Sequence, residues 1–169
     1  MRFLVIVLAC AFIVGCDTES PEYDDIDYAN DIYGVAVDFG DPVFEHSPKR
    51  DFNGDGVSLH IFDLPIEVRQ HFEVADESFM VSHPRRPDYR SHWSVVPWSK
   101  GPIPSRFEKY VDFALMSADH HAEEIREALS RETTFYSFFH YDHDEHPGNI
   151  DLFVVDLESG RIYEINVNT

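Results

Sequence analysis

The sequence predicts an α+β domain in which an antiparallel sheet of hairpins packs against one long amphipathic helix. Two observations carry that reading. Near the C-terminus, residues 135–139, 150–157 and 161–167 are aromatic and β-branched runs separated by turn formers. Tyr163, Ile165 and Val167 alternate onto one face, as in a half-buried meander. Upstream, Phe107, Tyr110, Val111, Ala114, Leu115, Ala118, Ala122, Ile125 and Leu129 recur at intervals of three and four, lining one stripe of a helix of about 25 residues. Ser105 with Glu108 three positions later is a capping-box signal at its start.

In chain order, Arg2 and the apolar run Phe3 to Val14 have the length of a secretory hydrophobic region, short of the about 20 residues that span a bilayer. The run ends in Ile13-Val14-Gly15-Cys16, which resembles the lipobox of bacterial lipoproteins. The resemblance implies that residues 1–16 are a lipoprotein signal and that Cys16 carries the lipid tying the protein to a membrane. Cys10 would leave a much shorter hydrophobic segment, so Cys16 is preferred. Asp17 stands where enterobacterial lipoproteins carry an inner-membrane retention residue. That likeness implies the periplasmic face of the inner membrane, with the outer membrane as the alternative. Both cysteines fall in this region, which removes disulfides and thiol chemistry from the folded part.

Residues 17–31 hold seven acids and no base, the composition of a self-repelling tether, with Tyr23, Ile26 and Tyr28 as residues that dock on the domain. A single globular domain is expected over 32–169. It opens on a strand over 32–39, ended by Gly40-Asp41-Pro42. Asp51-Phe52-Asn53-Gly54-Asp55-Gly56 then places oxygen side chains at alternate positions before a glycine, the first half of a calcium loop, with Asp51, Asn53 and Asp55 as ligands. Its twelfth position is Phe62 rather than Glu, so a Gly-rich turn feeding the strand 57–62 stands beside the Ca²⁺ reading. Residues 64–72 read as a short helix with Pro65 in its first turn, and 82–92 as a basic loop. Trp93-Ser94-Val95-Val96-Pro97-Trp98 reads as an edge strand, because Pro97 has no N–H to donate.

Between the last strands, His140-Tyr141-Asp142-His143-Asp144-Glu145-His146 concentrates imidazoles and carboxylates. Its residues partly align with the His-x-His-x-Asp-His motif of metallo-β-lactamases, with Phe138 at the first ligand position. His140, Asp142, His143 and His146 are therefore candidate Zn²⁺ ligands, against the plainer reading of a polar loop between strands. Along the long helix, His121 and Glu124 lie one turn apart.

The chain carries 32 acidic and 13 basic residues, a net charge of −19. This excludes nucleic acid and anionic head groups as partners bound through their phosphates. It suits a basic protein or a divalent cation, and equally a solubilising coat. There is no Gly-x-Ser-x-Gly and no glycine-rich phosphate loop. The layout loosely resembles small bacterial lipoproteins, some of them immunity proteins. The expected function is a tethered, non-enzymatic binder of a basic partner that needs no cofactor; the alternative is a metal-dependent envelope hydrolase or metal-binding protein using the 140–146 stretch.

Overall fold

A computed structural model describes residues 25–49, 55–86, 92–116 and 118–169. Cys16 with its lipobox, and Asp51 and Asn53 of the calcium-like stretch, lie outside the described residues. The described elements are α1 (Asp25–Tyr33), β1 (Phe44–His46), β2 (Gly56–Asp63), α2 (Ile66–Glu73), α3 (Glu77–Ser82), β3 (Ser94–Lys100), α4 (Glu108–Leu115), α5 (Ala122–Leu129), β4 (Thr134–His143), β5 (His146–Asp156) and β6 (Arg161–Asn168). The class is α+β. Among the described residues the strands form one antiparallel sheet in the order β1-β2-β6-β5-β4-β3.

The sheet is covered on both faces. One face presents Leu59, Ile61, Phe138, Ile150, Leu152, Val154, Tyr163 and Ile165 to α4 and α5. The other presents Phe135, Phe139, Phe153, Val155 and Ile162 to α1 and α2. Burial of each such side chain contributes about 1.5–3 kcal/mol, so two independent apolar layers share the stabilisation. The second layer is the aromatic one. Trp98 lies between Tyr33 and Phe72 and donates its indole N–H to the Ile32 carbonyl at 2.8 Å, tying α1 to β3.

Two sequence expectations need correction. The strand expected at 32–39 is the end of α1 followed by an extended segment outside the sheet. Ala29, Ile32 and Tyr33 are wholly buried, so the helix packs into the core where a tether was expected. Gly34, at φ +71°, ends the helix with its N–H on the Asn30 carbonyl. A Cβ there would meet the Phe79 ring at 2.5 Å, so the position needs glycine for both backbone and space. Val35, Val37 and Phe39 then alternate against the aromatic layer, which reproduces a strand's pattern without a strand's pairing.

The single long helix is also not what forms. α4 and α5 are separate helices, with a 3₁₀ turn at Ser105–Phe107 before α4 and another at Asp119–His121 before α5. Ala118 and His121 close tight turns on the Leu115 and Ala118 carbonyls. Ser and Asp in this stretch are poor interior helix formers. The apolar period runs through the break because both helices lie on the same sheet face, with Ala118 buried between them. His121 and Glu124 tie α5 to the sheet: Glu124 accepts from His121 at 3.1 Å and from the Tyr163 hydroxyl at 2.8 Å.

Other expectations hold. β2, α2, β3 at the sheet edge, and the β5-β6 hairpin lie where the sequence placed them, and β3 carries a register shift between Val96 and Ser99, around Pro97. α3 was not foreseen. Its start is Asp76, whose side chain accepts from Phe79 N–H at 2.9 Å. Asp76→Ala is expected to cost about 1 kcal/mol, seen as lost amide-exchange protection within Glu77–Ser82 and little change elsewhere.

Candidate functional site

The cleft beneath α1 is the candidate site. It follows from a row of side chains on the α1 face of three neighbouring strands, in which Glu45 of β1 stands opposite His60 of β2, and His60 opposite Glu164 of β6. Strand alternation puts these polar groups on the same face as Phe62 and Ile162. α1 and the extended 35–39 segment rise beside the row and leave an open cleft of about 320 Å³. Asp25 and Tyr28 come from α1, and Asp38 and Phe39 from the segment that follows it. Asp38 closes its own turn, accepting from Gly40 N–H at 2.8 Å.

Glu164 occupies the floor. The Tyr33 hydroxyl donates to its Oε1 at 2.6 Å. Burial pushes the carboxyl up; the Tyr33 hydrogen bond pulls it down, nearby Asp151 pushes it up and Arg86 pulls it down, leaving it at about 7. Arg86 also lies 4.0 Å from Asp151 and over the Tyr28 ring at 5.5 Å. Asp151 also accepts from the Asn166 side-chain amide. Burial, reinforced by Glu164, raises the Tyr28 phenol well above its ordinary value, so it stays neutral. The lining thus offers four carboxylates, Asp25, Asp38, Glu45 and Glu164, and among the described residues no Lys or Arg. Tyr28, Phe39 and Phe62 provide the aromatic walls. Such a cleft can hold a cation and exchange a proton near neutral pH; among the described residues its lining has no hydroxyl or thiol nucleophile of Ser, Thr or Cys.

The candidate metal residues have a different geometry from the loop expected for them. Residues 140–143 are the end of β4 and His146 the start of β5, joined by the tight turn at Asp144 and Glu145, with His143 paired opposite His146. Asp144 takes φ +56°, which aspartate tolerates. His140 and Asp142 share the α4 face, their side chains 3.2 Å apart. Asp142 also accepts from the Tyr110 hydroxyl at 2.9 Å and meets Lys109 at 3.4 Å. Burial acts to raise its pKa, but the Tyr110 and His140 hydrogen bonds outweigh it and hold the carboxyl below the usual range. His143 lies on the opposite face, its ring against Tyr141 and over Gly148, where a Cβ would stand 2.0 Å from the imidazole. Asp55 adjoins the start of β2. Among the described residues no group of three His, Cys, Asp or Glu side chains is placed to hold a metal ion. Also among them, no helix is long and apolar enough to cross a membrane.

Sequence reasoning missed Glu164 and its neighbours because Tyr163 and Ile165 mark the opposite face of β6 as the apolar one. The signal that would have found them lies one strand away. Leu152-Phe153-Val154-Val155 is apolar without alternation, which marks a strand covered on both faces. Polar residues on its neighbour then become half-buried rather than solvated. Comparison with protein-family models, curated proteins and solved structures yields no match.

Proposed function

We propose that this protein is a non-enzymatic binding protein, tethered to the periplasmic side of a bacterial membrane by lipid on Cys16, that captures or inhibits a basic protein partner. The observation that carries the reading is the cleft lining, four carboxylates and His60 with no Lys or Arg among the described residues, on a chain of 32 acids and 13 bases. Opposed charge steers association and sets which partners are rejected. The lipobox-like Ile13-Val14-Gly15-Cys16 supports the membrane placement.

The test immobilises the full-length protein and a charge-reversed Asp38→Lys/Glu45→Lys variant, and passes envelope extract over both at low and moderate salt. A basic protein is expected on the unaltered protein alone, with retention falling as salt screens the charges. A partner retained equally by both, and insensitive to salt, would overturn the reading.

A further inference from the structure

We propose that the cleft beneath α1 is a recognition site for one organic cation, the guanidinium or ammonium tip of a basic side chain, with Glu164 as its counter-ion. This rests on the binding function proposed above and names the chemical group that the cleft selects.

Shape comes first. An open cleft of about 320 Å³ is at the small end of ligand sites and admits the end of one long side chain rather than a folded surface. Carboxylates and aromatic faces together are the surroundings that a flat or bulky organic cation uses, the first through charge-assisted hydrogen bonds and the second through the ring quadrupole. Phe39 and Phe62 are fixed for that role: Phe39 packs against Phe62 at 5.4 Å and edge-on to Tyr33 at 5.1 Å, whereas the Tyr28 ring already carries the Arg86 guanidinium at 5.5 Å. A hard divalent ion wants six or more oxygens around it, and the Phe39 and Phe62 faces of this wall supply none.

Within the cleft Glu164 differs from the other acids. Asp25, Asp38 and Glu45 are exposed on the rim, whereas Glu164 is half-buried at the floor. The groups that face it are Tyr28 and Tyr33 of α1, His60 of β2, Asp151 of β5 and Arg86 of the segment after α3. The one cation among them, Arg86, also meets Asp151, and Glu164 still holds its proton to about pH 7. An arriving cation therefore favours the ionised carboxyl and expels that proton. Affinity rises with pH until the carboxyl is ionised in the free protein.

Titration of the full-length protein with Nα-acetyl-arginine amide and with the neutral isostere Nα-acetyl-citrulline amide tests this by calorimetry. The arginine probe is expected to bind at least tenfold more tightly than the citrulline probe at pH 8. Its affinity is expected to fall about tenfold between pH 8 and pH 6, since each bound cation displaces one proton and the affinity therefore falls about tenfold per pH unit below the carboxyl's pKa. Glu164→Gln is expected to remove most of that pH dependence. Asp38→Asn, a rim change that keeps the Gly40 hydrogen bond, is expected to weaken binding while leaving the pH dependence intact, and so reports on the site should the Glu164 variant fold poorly. Equal binding of the two probes, or arginine binding independent of pH in the unaltered protein, overturns the proposal. Failure of both probes with a salt-sensitive basic partner still retained overturns the single-cation site and leaves the binding function standing. Arginine binding without such a partner does the reverse.

Discussion

Arg131→Met is expected to lower the free energy of unfolding by about 3–5 kcal/mol, measured by urea unfolding of the full-length chain. Asp156 closes β5 with its side chain wholly buried, and Arg131 reaches it from just beyond α5 at 2.7 Å. The same guanidinium meets Glu127 at 2.8 Å and Glu158 at 3.9 Å. Those two are exposed and contribute little, because water already solvates them. The loss comes from Asp156, whose buried carboxyl would lose its Arg131 partner and keep the hydrogen bonds from the Thr134 hydroxyl and the Glu158 N–H. Removing a partner from a buried charge costs far more than the pair contributes net. Arg131→Met combined with Asp156→Asn should therefore recover much of the loss, since asparagine keeps an acceptor for both remaining donors. A single-variant loss below about 1 kcal/mol would mean that water reaches Asp156.

Glu164→Gln is expected to flatten the dependence of stability on pH between about 5 and 7 and to leave the protein more stable than the unaltered chain at pH 8. The sign follows from the proton count. In the fold the carboxyl sits at about 7, against an ordinary value of 4.5. Between those values the folded chain holds a proton that the unfolded chain has released, so the stabilisation present below about pH 4.5 is lost as pH rises to about 7. The span corresponds to at most on the order of 3 kcal/mol, less where water enters the open side of the cleft. Glutamine keeps the acceptor for Tyr33 and carries no charge. His71 and His83, both lowered chiefly by burial, act in the opposite sense, since the unfolded chain takes up protons first as pH falls. The measurement is accordingly the difference between variant and unaltered melting temperatures across pH. A difference that does not change with pH would show that Glu164 is ionised throughout.

Local pattern carries the elements that one neighbour defines. β2, α2 and the β5-β6 hairpin are legible because alternation, a Pro at the helix start and a Ser-Gly turn each act within a few residues. β3 is legible as an edge because proline forbids a central place. What fails is whatever depends on the second face of the sheet. The acids of α1 read as a tether until Ile32 and Tyr33 are seen filling the aromatic layer. Residues 140–146 read as a loop because their side chains are polar, whereas His140 and Asp142 are strand residues hydrogen-bonded to each other, with Tyr110 donating to Asp142 and packing on the His140 ring. The cleft was invisible for the same reason. Its parts come from α1, β1, β2 and β6, and no short stretch contains more than two of its carboxylates.

The hydrogen bond from Trp98 to the Ile32 carbonyl has an optical consequence. An indole shielded from water and bonded to a helix's backbone emits at shorter wavelength than one released into solvent. α1 contributes one side of the cleft, and its last turn is the part that Trp98 holds. The protein therefore carries its own fluorescent gauge of whether that wall is in place. With Trp93 replaced by phenylalanine, the colour of a single residue would follow α1 through titration, heating or capture of a partner.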